Sequence, residues 1–224
     1  MLDPLDPSVF LESEGFYIAE FESILTKIVC CYKMMIDKGD TVPNNEEKIR
    51  DFLYTEYLSK NEVCNQIGLY FDTVCESAEY VNGKCSGYVD LRISSRNSFK
   101  DKSAYYIIEC KRLDWKNLKG ETGLNAEYIG SGIMRFVSGH YSTNKRLNGM
   151  IGFVVERMDI NANITNINHL LKERFSNANT ETVLTSLSFI KDFQYQYYSL
   201  HKCRDNKKIK LYHLMLDFSA NVEN

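Results

Sequence analysis

YYIIECKRL (Tyr105–Leu113) is the stretch on which the fold turns, because its apolar, β-branched and aromatic residues read as a strand that carries charge inside it. Side chains alternate faces along a strand, so Glu109 and Lys111 point one way and Cys110 the other. Upstream, GYVDLRI (Gly87–Ile93) reads as a second strand, with Asp90 nineteen residues before Glu109. If the two segments pair as a hairpin, Asp90 reaches the face of Glu109 and Lys111, and two carboxylates and an ammonium surround one small volume. The pattern predicts a metal site with a lysine beside it. An E-x-K alone is a common accident, since an exposed strand often carries a cross-strand ion pair. Here Glu109 and Lys111 follow Tyr105, Tyr106, Ile107 and Ile108, a run too apolar for ordinary surface charges. Burying such groups without partners or a cation is costly.

Outward from this hairpin the chain alternates helical and strand periodicities. Ile18, Phe21, Ile24, Leu25, Ile28, Val29 and Tyr32 recur at three-to-four spacing and predict an amphipathic helix from Phe16 to about Ile36, ending near Gly39. Pro43, Asn44 and Asn45 supply a break and a cap for a second helix, EEKIRDFLYTEYL. A strand is expected around Leu69 to Ser77, a turn at Asn82, Gly83 and Gly87, and a polar joining stretch from Ser94 to Ser103. After Lys111 come a polar stretch, a helix-like run EYIGSGIMRFVSGHY weakened by its glycines, and a buried strand MIGFVVERM. A helix from Ile164 to Phe175 and two strands, DFQYQYYSLHK and KIKLYHLMLDF, flanking a basic turn complete the reading. The fold class is therefore mixed α/β, in one domain over residues 1–224 with an N-terminal helical segment at about 15–38 packed on it.

Composition narrows the classes. With 44% hydrophobic and 25% charged residues the chain has the make-up of an ordinary globule, and no apolar run reaches membrane-spanning length. The amino terminus is acidic, without the basic and apolar blocks of a secretory signal, so a cytoplasmic location and no membrane partner are expected. The seven cysteines form no CxxC pair and lie mostly in apolar segments, which argues for reduced thiols. A formal charge of −3 excludes bulk coating of nucleic acid but not a local basic surface. Basic residues do cluster, at Lys111, Arg112, Lys116 and Lys119, at Arg135, Lys145 and Arg146, and at Lys202, Arg204, Lys207, Lys208 and Lys210. The last group reads as a solvated hairpin tip. The four histidines make no HExxH or HxH arrangement, there is no GxSxG elbow, and the GSG at Gly130–Gly132 lacks the lysine and strand of a P-loop. Tyrosines in YQYYSL and EYIGSG read as packing before base stacking.

Phosphodiester hydrolysis requires an activated water, neutralisation of charge on the phosphoryl oxygens and help for the departing alkoxide, and a divalent metal supplies much of all three. Mg²⁺ keeps several waters and needs only one or two protein carboxylates. Asp90 and Glu109 meet that demand, with the Cys110 backbone carbonyl completing the shell and Mn²⁺ expected to substitute. Lys111 then either orients or deprotonates the water, given a lowered pKa, or holds the phosphate.

Asp90 with Glu109, Cys110 and Lys111 as the E-x-K element resembles the PD-(D/E)XK nuclease superfamily, the restriction-endonuclease-like fold. The resemblance covers roughly residues 44 to 156 by element order, and departs from the pattern where Val89 stands in place of proline. It implies a central mixed sheet flanked by helices, Mg²⁺-dependent cleavage of nucleic acid, most often DNA, and a further acidic residue on a preceding helix. Glu46 fits that role better than Glu47, because it shares the inward stripe of Ile49 and Leu53. The likeness also makes Glu127, Tyr128 and Arg135 candidates for the site wall, Arg135 as a phosphate clamp whose plainer reading is a surface salt bridge. Action as a homodimer or with a partner subunit, and a role in restriction or defence against foreign DNA, are what the family implies. The competing expectation is a non-cleaving module that uses the same cleft to bind nucleic acid or protein.

Overall fold

Apolar residues at helical spacing bury one stripe of α1 (Glu14–Lys38), and Gly39, at φ +75°, ends it by letting Gly39 and Asp40 turn their N–H groups back onto Ile36 and Met35. A computed structural model of the chain describes residues 14–59, 70–71, 77–81, 84–94, 105–141 and 147–223. The expected turn at Asn82 and Gly83, most of the Ser94–Ser103 joining stretch, Lys145 and Arg146 lie outside the described residues. A two-residue strand β1 (Val42–Pro43) leads into α2 (Glu46–Phe52), where Asn45 Oδ1 accepts from Lys48 N at 3.1 Å and satisfies one orphan donor of the first turn. The helix continues as a π-helical run, Leu53–Leu58.

The strands β2 (Tyr70–Phe71), β5 (Leu91–Ser94), β6 (Tyr105–Leu113), β7 (Leu147–Val154), β8 (Thr180–Ser186), β9 (Gln196–Lys202) and β10 (Lys208–Asp217) form one mixed sheet in the order β2-β5-β6-β7-β10-β9-β8. The middle strands β6, β7 and β10 run parallel, and antiparallel strands extend both sides. Strands β3 (Ser77–Val81) and β4 (Lys84–Val89) make a separate hairpin, and β1 pairs in parallel with β11 (Val222–Glu223). Parallel pairing of β6 with β7 needs a crossover, supplied by α3 (Leu124–Glu127), a π-helical run Tyr128–Ile133 and α4 (Met134–Val137). After β7, α5 (Ile160–Glu173) covers the same face.

Alternation along the strands divides the core into two layers. Tyr106, Ile108 and Cys110 of β6 pack with Phe21, Ile24 and Ile28 of α1, with Ile49 of α2 and with Leu53 of the π-helical run that follows it. Ile107 and Leu113 pack on the opposite face with Ile133, Phe136, Ile167 and Leu170. Glu109 and Lys111 are on this second face by the same period-two rule. Gly132 fits the crossover closely against β7: a Cβ there would lie 2.5 Å from Met150 Cε. The expected α/β fold, with a mixed sheet flanked by helices, is what the structure has.

Three sequence expectations need correction. The helix expected from Ile164 begins at Ile160, because Asp159 Oδ1 accepts from Ala162 N at 3.0 Å and caps an asparagine-rich first turn. Strand β8 was not anticipated; its TETVLTS composition buries only Leu184. The strand Gly87–Ile93 is broken at Asp90, with β4 pairing to β3 and β5 pairing to β6. Cysteines 30, 31, 110 and 203 are free thiols. Among the described residues no helix is long and apolar enough to cross a membrane.

Candidate metal centre on the β5–β6 hairpin

The break at Asp90 builds the site. Leu91 pairs with Ile108, so the next antiparallel partner of Cys110 would be Val89, which has turned away with β4. The Asp90 carboxylate takes over that place in the ladder: its Oδ2 accepts from Cys110 N at 2.8 Å. Its Oδ1 accepts from Arg50 Nη1 at 2.6 Å, and Arg50, on α2, is 5% exposed. Asp90 is thus held from two sides before any ligand is considered.

Glu109 is fully buried on β6. Its Oε1 accepts from Arg135 Nη1 on α4 at 2.7 Å and lies 2.9 Å from Lys111 Nζ, while its Oε2 accepts from the Tyr141 hydroxyl. Arg135 also donates to the Tyr141 oxygen at 2.9 Å. Lys111 Nζ donates to Glu46 Oε1 at 2.7 Å and to the Cys110 carbonyl at 2.7 Å, and stands 4.0 Å from Asp90 Oδ2. Glu46 is fixed at its second oxygen by Arg112 N at 3.0 Å. Glu47 faces solvent, so of the two helix glutamates the structure brings Glu46 to the site.

Glu46, Asp90 and Glu109 are each paired with a cation among Arg50, Lys111 and Arg135, and Arg50 also holds the more exposed Asp51 at 2.8 Å. Burial, with Asp90 nearby, raises the Glu109 pKa, and Lys111, Arg135 and Tyr141 partly offset the rise. Burial lowers that of Lys111, but Glu109, Asp90 and Glu46 outweigh it and hold the ammonium above its ordinary value. The lowered lysine pKa that a general base would need is absent from this arrangement. Burial also raises the Tyr141 phenol, and the Glu109 carboxylate raises it further, so the hydroxyl stays a donor.

Asp90, Glu109, Lys111 and Glu46 therefore come together, and Arg135 joins them through Glu109. Tyr128 does not: it is fully buried, with its hydroxyl 2.7 Å from His213 Nδ1. It ends an interior chain in which Ser199 Oγ lies 2.7 Å from both His213 Nε2 and His201 Nε2, and His201 Nδ1 meets the Ala178 carbonyl at 3.0 Å. Because a carbonyl only accepts, His201 carries its proton on Nδ1, and every donor in the chain finds an acceptor with both rings neutral. Tyr128 is an interior residue, and Glu127 is exposed. Two contributors were missed by sequence reasoning. Arg50 stands four residues after Glu46, a spacing that places both on one helix face and was legible. Tyr141 follows the turn at Gly139 and carried no local signal.

Among the described residues no group of three or more His, Cys, Asp or Glu side chains is spaced to hold a metal ion. Mg²⁺ does not require such a group, since one or two carboxylates suffice. The donor set at the hairpin is all oxygen, and it already converges on one cation: three oxygens, from Glu46, Glu109 and the Cys110 carbonyl, lie within 2.9 Å of Lys111 Nζ. Asp90 faces the same ammonium. Such a set suits a hard cation, and Asp90, Glu109 and the Cys110 carbonyl would hold it once the ammonium moved aside. Comparison of the chain with family models, curated proteins and solved structures finds no match.

Proposed function

We propose that the chain is a Mg²⁺-dependent nuclease of the PD-(D/E)XK kind, hydrolysing phosphodiester bonds in DNA. The observation that carries this reading is the convergence of the Asp90, Glu109, Glu46 and Cys110 oxygens on Lys111 Nζ. Bound there, Mg²⁺ supplies charge neutralisation and a more acidic water. Asp90 and Glu109 are its carboxylate ligands, and Arg50 and the Cys110 N–H keep Asp90 from swinging away. Lys111, a firm cation, serves by holding a phosphoryl oxygen or orienting the water, and Glu46 positions the ammonium when substrate is absent. Arg135 positions Glu109, and its half-exposed guanidinium faces a phosphate from the same wall. A role in restriction or defence, and action as a homodimer, belong to this proposal as extensions of the family resemblance.

The test is a cleavage assay on plasmid, linear and single-stranded DNA with Mg²⁺, Mn²⁺ or chelator, run beside Asp90→Asn. Asparagine keeps an acceptor for the Cys110 N–H, whereas alanine removes that acceptor, leaves the buried Arg50 guanidinium to Asp51 alone, and confounds loss of activity with loss of fold. Metal-dependent cleavage that vanishes in Asp90→Asn supports the reading. One observation favours a non-cleaving binding module instead: Glu46, Asp90 and Glu109 are each already paired with a cation of the protein's own. Strand binding that is indifferent to metal, with no cleavage on any substrate, establishes that alternative.

A further inference from the structure

The chain has a single tryptophan, Trp115, and it is 42% exposed. Trp115 and Met34 are the only large hydrophobic side chains exposed among the described residues. Trp115 follows Lys111 by four residues, so no more than about 14 Å of chain separates the indole-bearing backbone from the candidate metal centre. Its surroundings are built. Trp115 N donates to Glu156 Oε2 at 3.4 Å, and Lys116 N to Asp114 Oδ1 at 3.1 Å. Asn117 adopts a left-handed φ of +46° and donates from Nδ2 to both the Thr122 carbonyl and its hydroxyl at 2.7 Å. These bonds hold in place the backbone that carries the indole.

Its chain neighbours Asp114 and Lys116 line a polar cleft of about 360 Å³ together with Asn44, Arg112 and Glu156. Arg112 links the cleft to the centre, since its backbone N–H is the group that fixes Glu46. The guanidinium Nη1 of Arg112 is on Asn44, and its buried Nε–H has no acceptor among the described residues. Lys116 and Lys119 are exposed, and the Lys116–Glu156 contact, at 3.7 Å on the surface, is a weak pair that a phosphate can displace. Trp115 stands between Asp114 and Lys116 in the chain, with Arg112 and Lys119 within four residues of it, just past the strand that carries Lys111. Single-stranded nucleic acid is recognised by aromatic faces that stack bases while cations track the backbone.

We infer that Trp115 is a base-stacking residue, holding an unstacked nucleobase of the DNA strand a few nucleotides from the scissile phosphate, with Arg112, Lys116 and Lys119 on the intervening phosphates. This inference rests on the nuclease reading and adds a substrate feature to it: a frayed, gapped or single-stranded flank in preference to continuous duplex. Because Trp115 is the sole tryptophan, indole emission reports on this position alone.

The experiment follows that emission in chelator at low salt as a short oligothymidylate is added, beside an abasic strand of equal length. Anisotropy of a labelled strand tracks binding independently. Quenching by oligothymidylate, and none by the abasic strand, is the expected result. Trp115→Ala weakens oligothymidylate binding on the order of 10- to 100-fold, Trp115→Phe recovers most of it, and neither changes abasic binding. A strand that binds while the indole emission stays unchanged, or a Trp115→Ala protein that binds as wild type does, overturns the stacking assignment and leaves the nuclease reading standing. Absence of both strand binding and Mg²⁺-dependent cleavage overturns the two together.

Discussion

Replacing Lys111 with methionine probes the cation pocket from its centre. Methionine keeps the apolar stem that packs near Gly132 but removes the charge held by Glu46, Glu109 and the Cys110 carbonyl at 2.7 to 2.9 Å. Removing one partner of a buried ion pair costs about 3–5 kcal/mol, because the other charge is left unpaired. The lower end applies here, since the Glu46 side chain is 27% exposed and Glu109 keeps Arg135 and Tyr141. A loss of about 3 kcal/mol lowers Tm by about 6–12 °C in a chain of this size. The variant also removes the ammonium that stands among Glu46, Asp90 and Glu109, so a divalent cation gains affinity in its place. At about a hundredfold excess over its Kd a ligand stabilises by about 2.7 kcal/mol, enough to restore most of the lost melting temperature. The assay is thermal melting of wild type and Lys111→Met with Mg²⁺, Mn²⁺ or K⁺ at matched ionic strength. The expected result is a fall in Tm that the divalent ions reverse and K⁺ does not. A variant that melts with wild type and ignores divalent ions refutes the claim that these oxygens form a cation pocket.

Acid should destabilise the protein through His201 and His213. Burial lowers the His201 pKa from 6.5 to about 4 and holds that of His213 well below its ordinary value, so between pH 6.5 and about 4 the unfolded state takes up the proton first. Stability is full above pH about 6.5 and falls as the pH drops, by about 3 kcal/mol from His201 alone once pH 4 is reached. Melts from neutral to mildly acidic pH check this, and His201→Gln should flatten the profile. Tyr141→Phe removes a hydroxyl shared by Glu109 and Arg135, which predicts a loss of about 1–3 kcal/mol by denaturant titration. Gly132→Ala forces a Cβ to within 2.5 Å of Met150 Cε, and predicts a loss of about 1–3 kcal/mol, limited by the flexibility of the methionine.

Much of this arrangement was legible because it depends on short-range periodicity. The alternation in YYIIECKRL placed Glu109 and Lys111 on one face and Cys110 on the other, and the Asn45 cap placed Glu46 and Ile49 on one helical stripe. What escaped was decided by tertiary partners. The break at Asp90 exists because β4 finds β3, and nothing within GYVDLRI records that. The family resemblance made Tyr128 a wall candidate as part of the helix that follows the lysine strand, yet the π-helical run places it against His213. The three oxygens that gather around Lys111 Nζ come from a helix and from its own strand, and the local sequence shows the charge without showing that it is enclosed. Strand β8 gave a weak signal because it is an edge strand with one buried residue and lacks the apolar alternation of the inner strands.

The central claim is that the hairpin oxygens hold a hard divalent cation, and anomalous diffraction from Mn²⁺-soaked crystals measures it directly. The expected result is a peak bonded to Asp90, Glu109 and the Cys110 carbonyl, with Lys111 Nζ swung out from between them. Lys111 Nζ still seated on Glu46 and Glu109, with Mn²⁺ bound elsewhere or not at all, contradicts it.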